Sequence, residues 1–292
     1  MGGLNWKSYA RAKDLNEALA LLAQAGGSGR VIAGGTDLVL QVRQKEKQAD
    51  LLVDVIRIEE LQGLCEENGH IRIGAAVTHG AAAESPLLRR EAAALAAGCG
   101  MVGSPQIRNI ATLMGNVITA QPAADAAVPL TALEAELRVL SPAGERWVPI
   151  EAAYRGVGES AIDSTREVAA EIRFRTPGAG AQTRFFRLAR RRALALPVLN
   201  GAVCLWTDRS ARRIREARIA LGPVAAKPFR ARQAEACLTA DRISASLVEE
   251  AVRLAAAEAT PRTSLIRGSE GYRRAMVRLY LTRTLREMLD IG

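Results

Sequence analysis

Two short glycine-bearing segments are the parts of this chain best equipped for chemistry. One is Ala33-Gly34-Gly35-Thr36-Asp37, which follows Val31-Ile32 and runs on into Leu38; the other is Thr112-Leu113-Met114-Gly115-Asn116. A strand that enters Gly-Gly presents consecutive backbone N–H groups with no Cβ to block a ligand. Such a concavity attracts anions, the more so if a helix begins just after Thr36. Thr112 and Asn116 offer further donors. Two turns of this kind converging on one pyrophosphate hold a dinucleotide without any lysine. Each turn by itself is a weak signal, because a Gly-Gly after a strand is more often an ordinary tight turn.

Other chemistries lack their residues. No GxSxG, HExxH or GxxxxGK[ST] occurs, and the GxGxxG at 98–103 follows a helical stretch rather than a strand, so the usual hydrolase, zinc-protease, Rossmann and P-loop readings are unavailable. Cys65, Cys99, Cys204 and Cys237 lie far apart, whereas an iron–sulfur cluster needs thiolates at clustered spacings. They read as small hydrophobes in the interior. With only His70 and His79 beside them, a zinc site is also short of ligands. No residue is assigned as catalytic or as a metal ligand. His79, placed after a strand, reads as a cap or surface residue, and Arg108-Asn109 as a brace for its loop. Arg190-Arg191-Arg192 reads as a solvated face that can also dock an acidic partner.

The elements that must position the two turns are legible from periodicity and punctuation. A helix is predicted from Asp14, whose carboxylate with Glu17 makes an N-terminal cap and whose apolar residues Leu15, Ala18, Leu19 and Leu22 share a face. A short strand over 30–33 leads into the first glycine turn. Strands follow at 51–55 and 71–77, and a helix at 87–97. Residues 98–121 show little periodicity and read as a long, functional loop. A helix at 125–135, a strand at 137–140 turned by Ser141-Pro142-Ala143-Gly144, and a strand at 167–174 complete this part. Thr176-Pro177-Gly178-Ala179-Gly180 is a linker by its Pro/Gly punctuation. Beyond it come strands at 182–188, 198–206 and 214–221, a helix capped by Ser246 with Glu249, and a last helix over 272–289. That last helix should turn Met276, Leu279, Tyr280 and Leu285 inward.

At 292 residues the chain is long enough for one large domain or two. Its net charge of +9 raises nucleic acid as a partner. However, the basic residues are spread along the chain and aromatics make up only 4%, without the interleaving of cations and stacking rings that single-strand binding uses. Nucleic-acid binding is not expected. No apolar run reaches the roughly 18 residues of a membrane span, and the first residues carry no hydrophobic segment of a secretory signal. A cytoplasmic location is the expectation.

With these segments in place, a family resemblance becomes specific. VIAGGTDL (31–38) and IRNIATLMGNVITAQPAAD (107–125) resemble, in order and separation, the two FAD-binding signatures of flavoprotein subunits in the xanthine dehydrogenase and carbon monoxide dehydrogenase family of molybdenum hydroxylases. RFFRLARRRALALPVLNGAV (184–203) and RGSEGYRRAMVRLYLTRTL (267–285) are similar to stretches of that family's C-terminal domain. The resemblance implies an α+β architecture. A two-part FAD-binding domain of the vanillyl-alcohol oxidase and p-cresol methylhydroxylase type would span 1–176. A small C-terminal α+β domain, a three-stranded sheet with helices, would span 180–292.

By the same resemblance, Val31, Ile32, Ala33, Gly34, Gly35, Thr36, Asp37 and Leu38 wrap the pyrophosphate and ribityl chain of FAD. Thr112, Leu113, Met114, Gly115 and Asn116 form the second clamp. Asp125 contacts the cofactor through a ribose hydroxyl, and Arg187 supplies a cation near the flavin, where it stabilises the anionic reduced form. Met114 stands where the family pattern has glycine; a left-handed backbone there would cost about 1–2 kcal/mol, so weakened binding is expected. Val102 replaces an aromatic that xanthine dehydrogenases set against the flavin. The implied function is electron transfer, from a partner [2Fe–2S] subunit beside a large molybdopterin subunit, through FAD, to NAD or another acceptor. Two alternatives stay open: a self-contained FAD oxidoreductase, and an interaction subunit that has lost FAD.

Overall fold

In the computed structural model, residues 6–191 and 194–291 are described. The chain begins with a parallel three-stranded sheet. Its strands β1 (Ser8–Arg11), β2 (Gly29–Ile32) and β3 (Leu51–Asp54) lie in the order β1-β3-β2, which requires a crossover on each side. Helix α1 (Leu15–Gln24) makes the first crossover, and the Asp14 carboxylate accepts the Glu17 N–H at 2.8 Å as its cap. Helix α2 (Leu38–Arg43) belongs to the second crossover and starts directly after the first glycine turn.

Two hairpin strands follow, β4 (Leu64–Glu67) and β5 (His70–Gly74), and then five short helices. These are α3 (His79–Glu84), α4 (Pro86–Glu91), α5 (Ala93–Gly100), α6 (Pro105–Arg108) and α7 (Leu113–Ile118). The helix expected over 87–97 is thus two, broken at Ala92. The stretch 98–121 read as a loop is largely helical. Its helices are four to eight residues long, too short to print a 3.6-residue period, and each of the last two starts at a hydroxyl cap, Ser104 or Thr112.

Helix α8 (Ala127–Ala132) is buried on all sides. Beyond it, β6 (Glu136–Ser141) and β7 (Gly144–Pro149) form a hairpin, β8 (Tyr154–Gly156) and β9 (Glu159–Ser160) a small ribbon, and β10 (Val168–Arg175) returns to the centre. The result is an antiparallel sheet in the order β4-β5-β10-β6-β7. Its inner side chains Ile71, Ile73, Leu137, Val139 and Ile172 are fully buried in one core with α1 and the short helices.

The remainder is a second layered unit. Strands β11 (Ala181–Ala189), β12 (Pro197–Asp208) and β13 (Arg213–Gly222) are the three expected, and a two-residue strand β14 (Phe229–Arg230) makes the sheet four-stranded. Helices α9 (Arg232–Ala240), α10 (Ala245–Glu258) and α11 (Glu270–Leu289) cover it. The cap of α10 is Ser244 rather than Ser246. In α11 the inward face carries Val277, Leu281, Leu285 and Met288, while Leu279, expected inside, is exposed. Ala202, Cys204 and Ala220 on the other face of this sheet belong to the core of the first unit, so the two units are packed together.

Candidate functional site

The two glycine turns meet. A Cβ on Gly34 would lie 2.2 Å from the carbonyl oxygen of Ile110 and 3.0 Å from the Cα of Ala111, so the first turn touches the backbone leading into the second. Only glycine permits that approach. Gly35 serves differently: its φ is +69°, a left-handed conformation that reverses the chain after β2 and aims α2 outward. The second turn is fixed from behind by the segment after β5. Thr78 bridges Thr112, the His79 N–H donates to Ala111 O at 2.9 Å, and the Leu113 N–H donates to Val77 O at 3.1 Å.

Between the turns runs a cleft of about 470 Å³. Val31, Ile32, Ala33, Gly34, Gly35, Thr36, Asp37 and Leu38 form one wall, and Thr112, Gly115 and Asn116 face them. Asp125 and Arg187 also border it. Leu113 and Met114 do not; both side chains are packed in the hydrophobic core. Met114 sits in the first turn of α7 and has no positive φ, so the strain expected there is absent. A methionine is accommodated at this position because the backbone is an ordinary helix with the side chain directed inward.

Asp125 and Arg187 are committed to one another. The Arg187 Nε donates to both carboxylate oxygens of Asp125, at 3.1 and 3.0 Å, and Asn200 Nδ2 donates to Oδ1 at 2.8 Å. Arg187 Nη2 donates to the Ala195 carbonyl. This network joins the first unit to β11 and β12 and anchors the backbone of 194–196, which borders the cleft. Burial pushes the Asp125 carboxyl up to about 6, against the opposing pull of Arg187 and Asn200. The carboxylate expected to hold a ribose hydroxyl thus already carries two internal partners, and the cation expected near the flavin is paired with it.

Polarity divides the cleft. Met101, Val102, Ile107, Leu194 and Leu196 give one end an apolar rim; Met101, Ile107, Leu194 and Leu196 are exposed. Arg108 braces that rim by donating to Val102 O at 3.0 Å. The other end is polar, with Asp37, Gln41, Lys47, Thr119 and Ser164. Burial raises the Asp37 carboxyl above its ordinary range, opposed by the Thr119 hydroxyl.

His79, expected as a cap or surface residue, is fully buried against the cleft wall, and the cap of α3 is Thr78. Neither ring nitrogen has a partner, and burial, with Arg108 nearby, lowers its pKa to about 4, so the imidazole is neutral. Lys47 and Gln41 lie outside both signatures and Thr119, though inside the second, was not singled out by sequence; the fold brings all three to the cleft. Arg190 and Arg191 are exposed, while Arg192 lies outside the described residues. Cys99 and Cys204 are buried, Cys237 is half-buried and Cys65 is exposed. Among the described residues no group of acidic, histidine or cysteine side chains is placed to hold a metal, and no helix is long and apolar enough to cross a membrane.

Known proteins resemble the chain along its length. The family model of the FAD binding domain in molybdopterin dehydrogenase matches residues 4–175, and that of the CO dehydrogenase flavoprotein C-terminal domain matches 184–288. The xanthine dehydrogenase FAD-binding subunit of Escherichia coli O157:H7 is 28% identical over 97% of this chain and 96% of its own. The nicotinate dehydrogenase FAD-subunit of Eubacterium barkeri is 32% identical over 67% of each. A solved carbon monoxide dehydrogenase from Hydrogenophaga pseudoflava has a chain that superposes with a TM-score of 0.89 at 30% identity, covering 96% of both.

Proposed function

The chain belongs to the FAD-binding subunits of the xanthine dehydrogenase and carbon monoxide dehydrogenase family of molybdenum hydroxylases, and from that membership we propose that its FAD occupies the cleft between the two glycine turns. The observation that carries the proposal is the backbone contact of Gly34 with Ile110 and Ala111. It brings two stretches some 75 residues apart together as one cradle bare of side chains. The residues fit the cofactor chemically. The wall at Gly34 and Gly35 has no Cβ, and Asn116 borders the cleft with a buried Oδ1 that has no partner. An amphipathic dinucleotide also matches a cleft that is apolar at one end and polar at the other.

FAD supplies the redox chemistry when bound, accepting and releasing electrons at its flavin ring. The chain's own residues bind, orient and screen it. Thr36, Thr112 and Asn116 offer polar side chains beside the bare backbone. Val102 and Leu196 shield the apolar end from water. The Asp125–Arg187–Asn200 network holds the two units and the 194–196 segment in register around it. Because Arg187 is paired, the charge it lends the cleft is a dipole with Asp125, weaker than a lone cation at the same distance.

The electron donor we assign is a [2Fe–2S] small subunit, in a complex with a molybdopterin large subunit, and the acceptor is NAD or another carrier. The supports are the family membership and the absence from the sequence of clustered cysteines for an iron centre. The test has two arms. The isolated chain is incubated with FAD, and bound flavin is measured after gel filtration: about one equivalent is expected, all released by acid. The tagged chain is also purified from its native host, and the associated chains are analysed for iron and molybdenum. A chain that retains FAD but associates with no iron-bearing partner, and reduces its flavin directly with an organic substrate, would favour the self-contained oxidoreductase instead.

A further inference from the structure

Lys47 is a cation at the polar end of the cleft, and its surroundings leave its ammonium without a partner. The chain leaves α2 at Gln44, passes through a left-handed residue at Lys45, and folds back so that the Glu46 and Lys47 N–H groups both donate to Gln41 O, at 2.9 and 3.2 Å. That turn carries Lys47 to the cleft wall beside Gln41 and Asp37. No carboxylate comes within ion-pair distance of its amine among the described residues; Lys7, by contrast, pairs with Asp50 on the outer surface at 3.0 Å. Half burial and the neighbouring Arg30 both press against its charge, while Asp37 and Glu46 favour it from farther off. Arg30 itself is engaged, with Nε on Gln48 O at 2.8 Å and Nη1 on Ser164 Oγ at 3.3 Å.

A cation kept partly desolvated and unpaired costs stability unless something anionic meets it. The cleft is where such a ligand enters, and the bare backbone at Gly34 and Gly35 lies along the same wall. On the reading of the cleft given above, we infer that the Lys47 ammonium binds the phosphate-bearing, nucleotide half of the dinucleotide, with Asp37 beside it accepting from a sugar hydroxyl. The apolar rim at Val102 and Leu196 then takes the flavin ring. The polar end becomes the part of the site that distinguishes a dinucleotide from a flavin without phosphate. Lysine suits the role, being a flexible point charge that reaches phosphate without fixed geometry.

The test uses Lys47→Met, which keeps the stem and removes the charge, with Lys47→Arg as the conservative partner. FAD is titrated against the apo chain by flavin fluorescence, and ADP and riboflavin are each run as competitors. Lys47→Met should weaken FAD and ADP by roughly five- to tenfold and leave riboflavin unchanged, and it should flatten the salt dependence of FAD binding. Lys47→Arg should restore most of the affinity. The apo melting temperature of Lys47→Met should be equal to or above that of the native chain. Unchanged affinity for FAD and ADP, or a loss shared equally by riboflavin, would overturn the inference. The underlying reading fails separately, if native protein and Gly35→Val bind FAD alike.

Discussion

Replacing Gly34 by alanine tests the backbone contact between the two turns. The added Cβ would lie 2.2 Å from the Ile110 carbonyl oxygen and 2.9 Å from its carbonyl carbon, where real contacts begin near 3.0 Å. The two turns must therefore separate by about 0.8 Å, and because the obstacle is backbone, no rotamer change relieves the clash. Overpacking of this kind costs about 1–3 kcal/mol, equivalent to about five- to 150-fold in an equilibrium constant. The cost appears in one of two places. If the turns stay closed in the apo chain, the melting temperature falls, by about 2 °C per kcal/mol for a protein of this size. If they spring apart, FAD must close them again and its Kd rises instead. Thermal melts of the apo chain and fluorescence titration with FAD together capture the sum. Gly115→Ala is the control for apo stability alone, since Gly115 faces the cleft: its Cβ would meet only Thr112 Oγ1, at 3.0 Å, and alanine favours α7 by up to about 1 kcal/mol. Native stability and native affinity in Gly34→Ala would show that the two turns do not depend on backbone contact, and the cradle argument would fall.

Gly35→Val forces a branched side chain to a φ of +69°, with Ile32 Cδ1 3.1 Å and Val39 Cγ2 3.3 Å from the new Cβ, and should weaken FAD binding at least tenfold by titration. Met114→Gly should not tighten FAD binding, because no strain is there to relieve; it removes a buried side chain and should lower stability by about 2–5 kcal/mol in a urea melt. Arg187→Ala leaves the buried Asp125 carboxylate with Asn200 alone and should cost about 3–5 kcal/mol, with faster hydrogen exchange in 194–196; exchange at the native rate would refute its anchoring role. His79 is held neutral, with its pKa lowered from 6.5 to about 4. Its contribution is therefore fully present above pH 6.5 and is lost as pH falls toward 4, by up to about 3 kcal/mol. Denaturant melts of His79→Gln should show that much less acid sensitivity than the native chain across this window.

What the sequence determined by itself was local and repetitive. The Asp14 cap and the apolar stripe of α1 are short-range patterns, as are the three long strands of the second unit and the Gly-Gly turn at 34–35, and each occurs where its residues predict. The first glycine turn was legible because Gly-Gly follows a strand; the second, at 112–116, is the capped first turn of α7, and only its likeness to a family signature marked it. Tertiary structure decided the rest. Short helices such as α7, capped by Thr112 and packed on β10, and α5, whose Ala94 N–H donates to Thr183 of β11, depend on tertiary partners and left no period to read. Met114 looked like a strained replacement until the fold placed its backbone in a helix and its side chain in the core. His79 and Lys47 have no motif around them, and their partly or wholly desolvated positions arise only when distant segments pack. Asp125 and Arg187 were each visible as polar residues, but their pairing across 62 positions, with Asn200 as third member, is a long-range electrostatic match. Sequence spacing cannot encode such a match, because desolvation and Coulomb attraction act through space rather than along the chain.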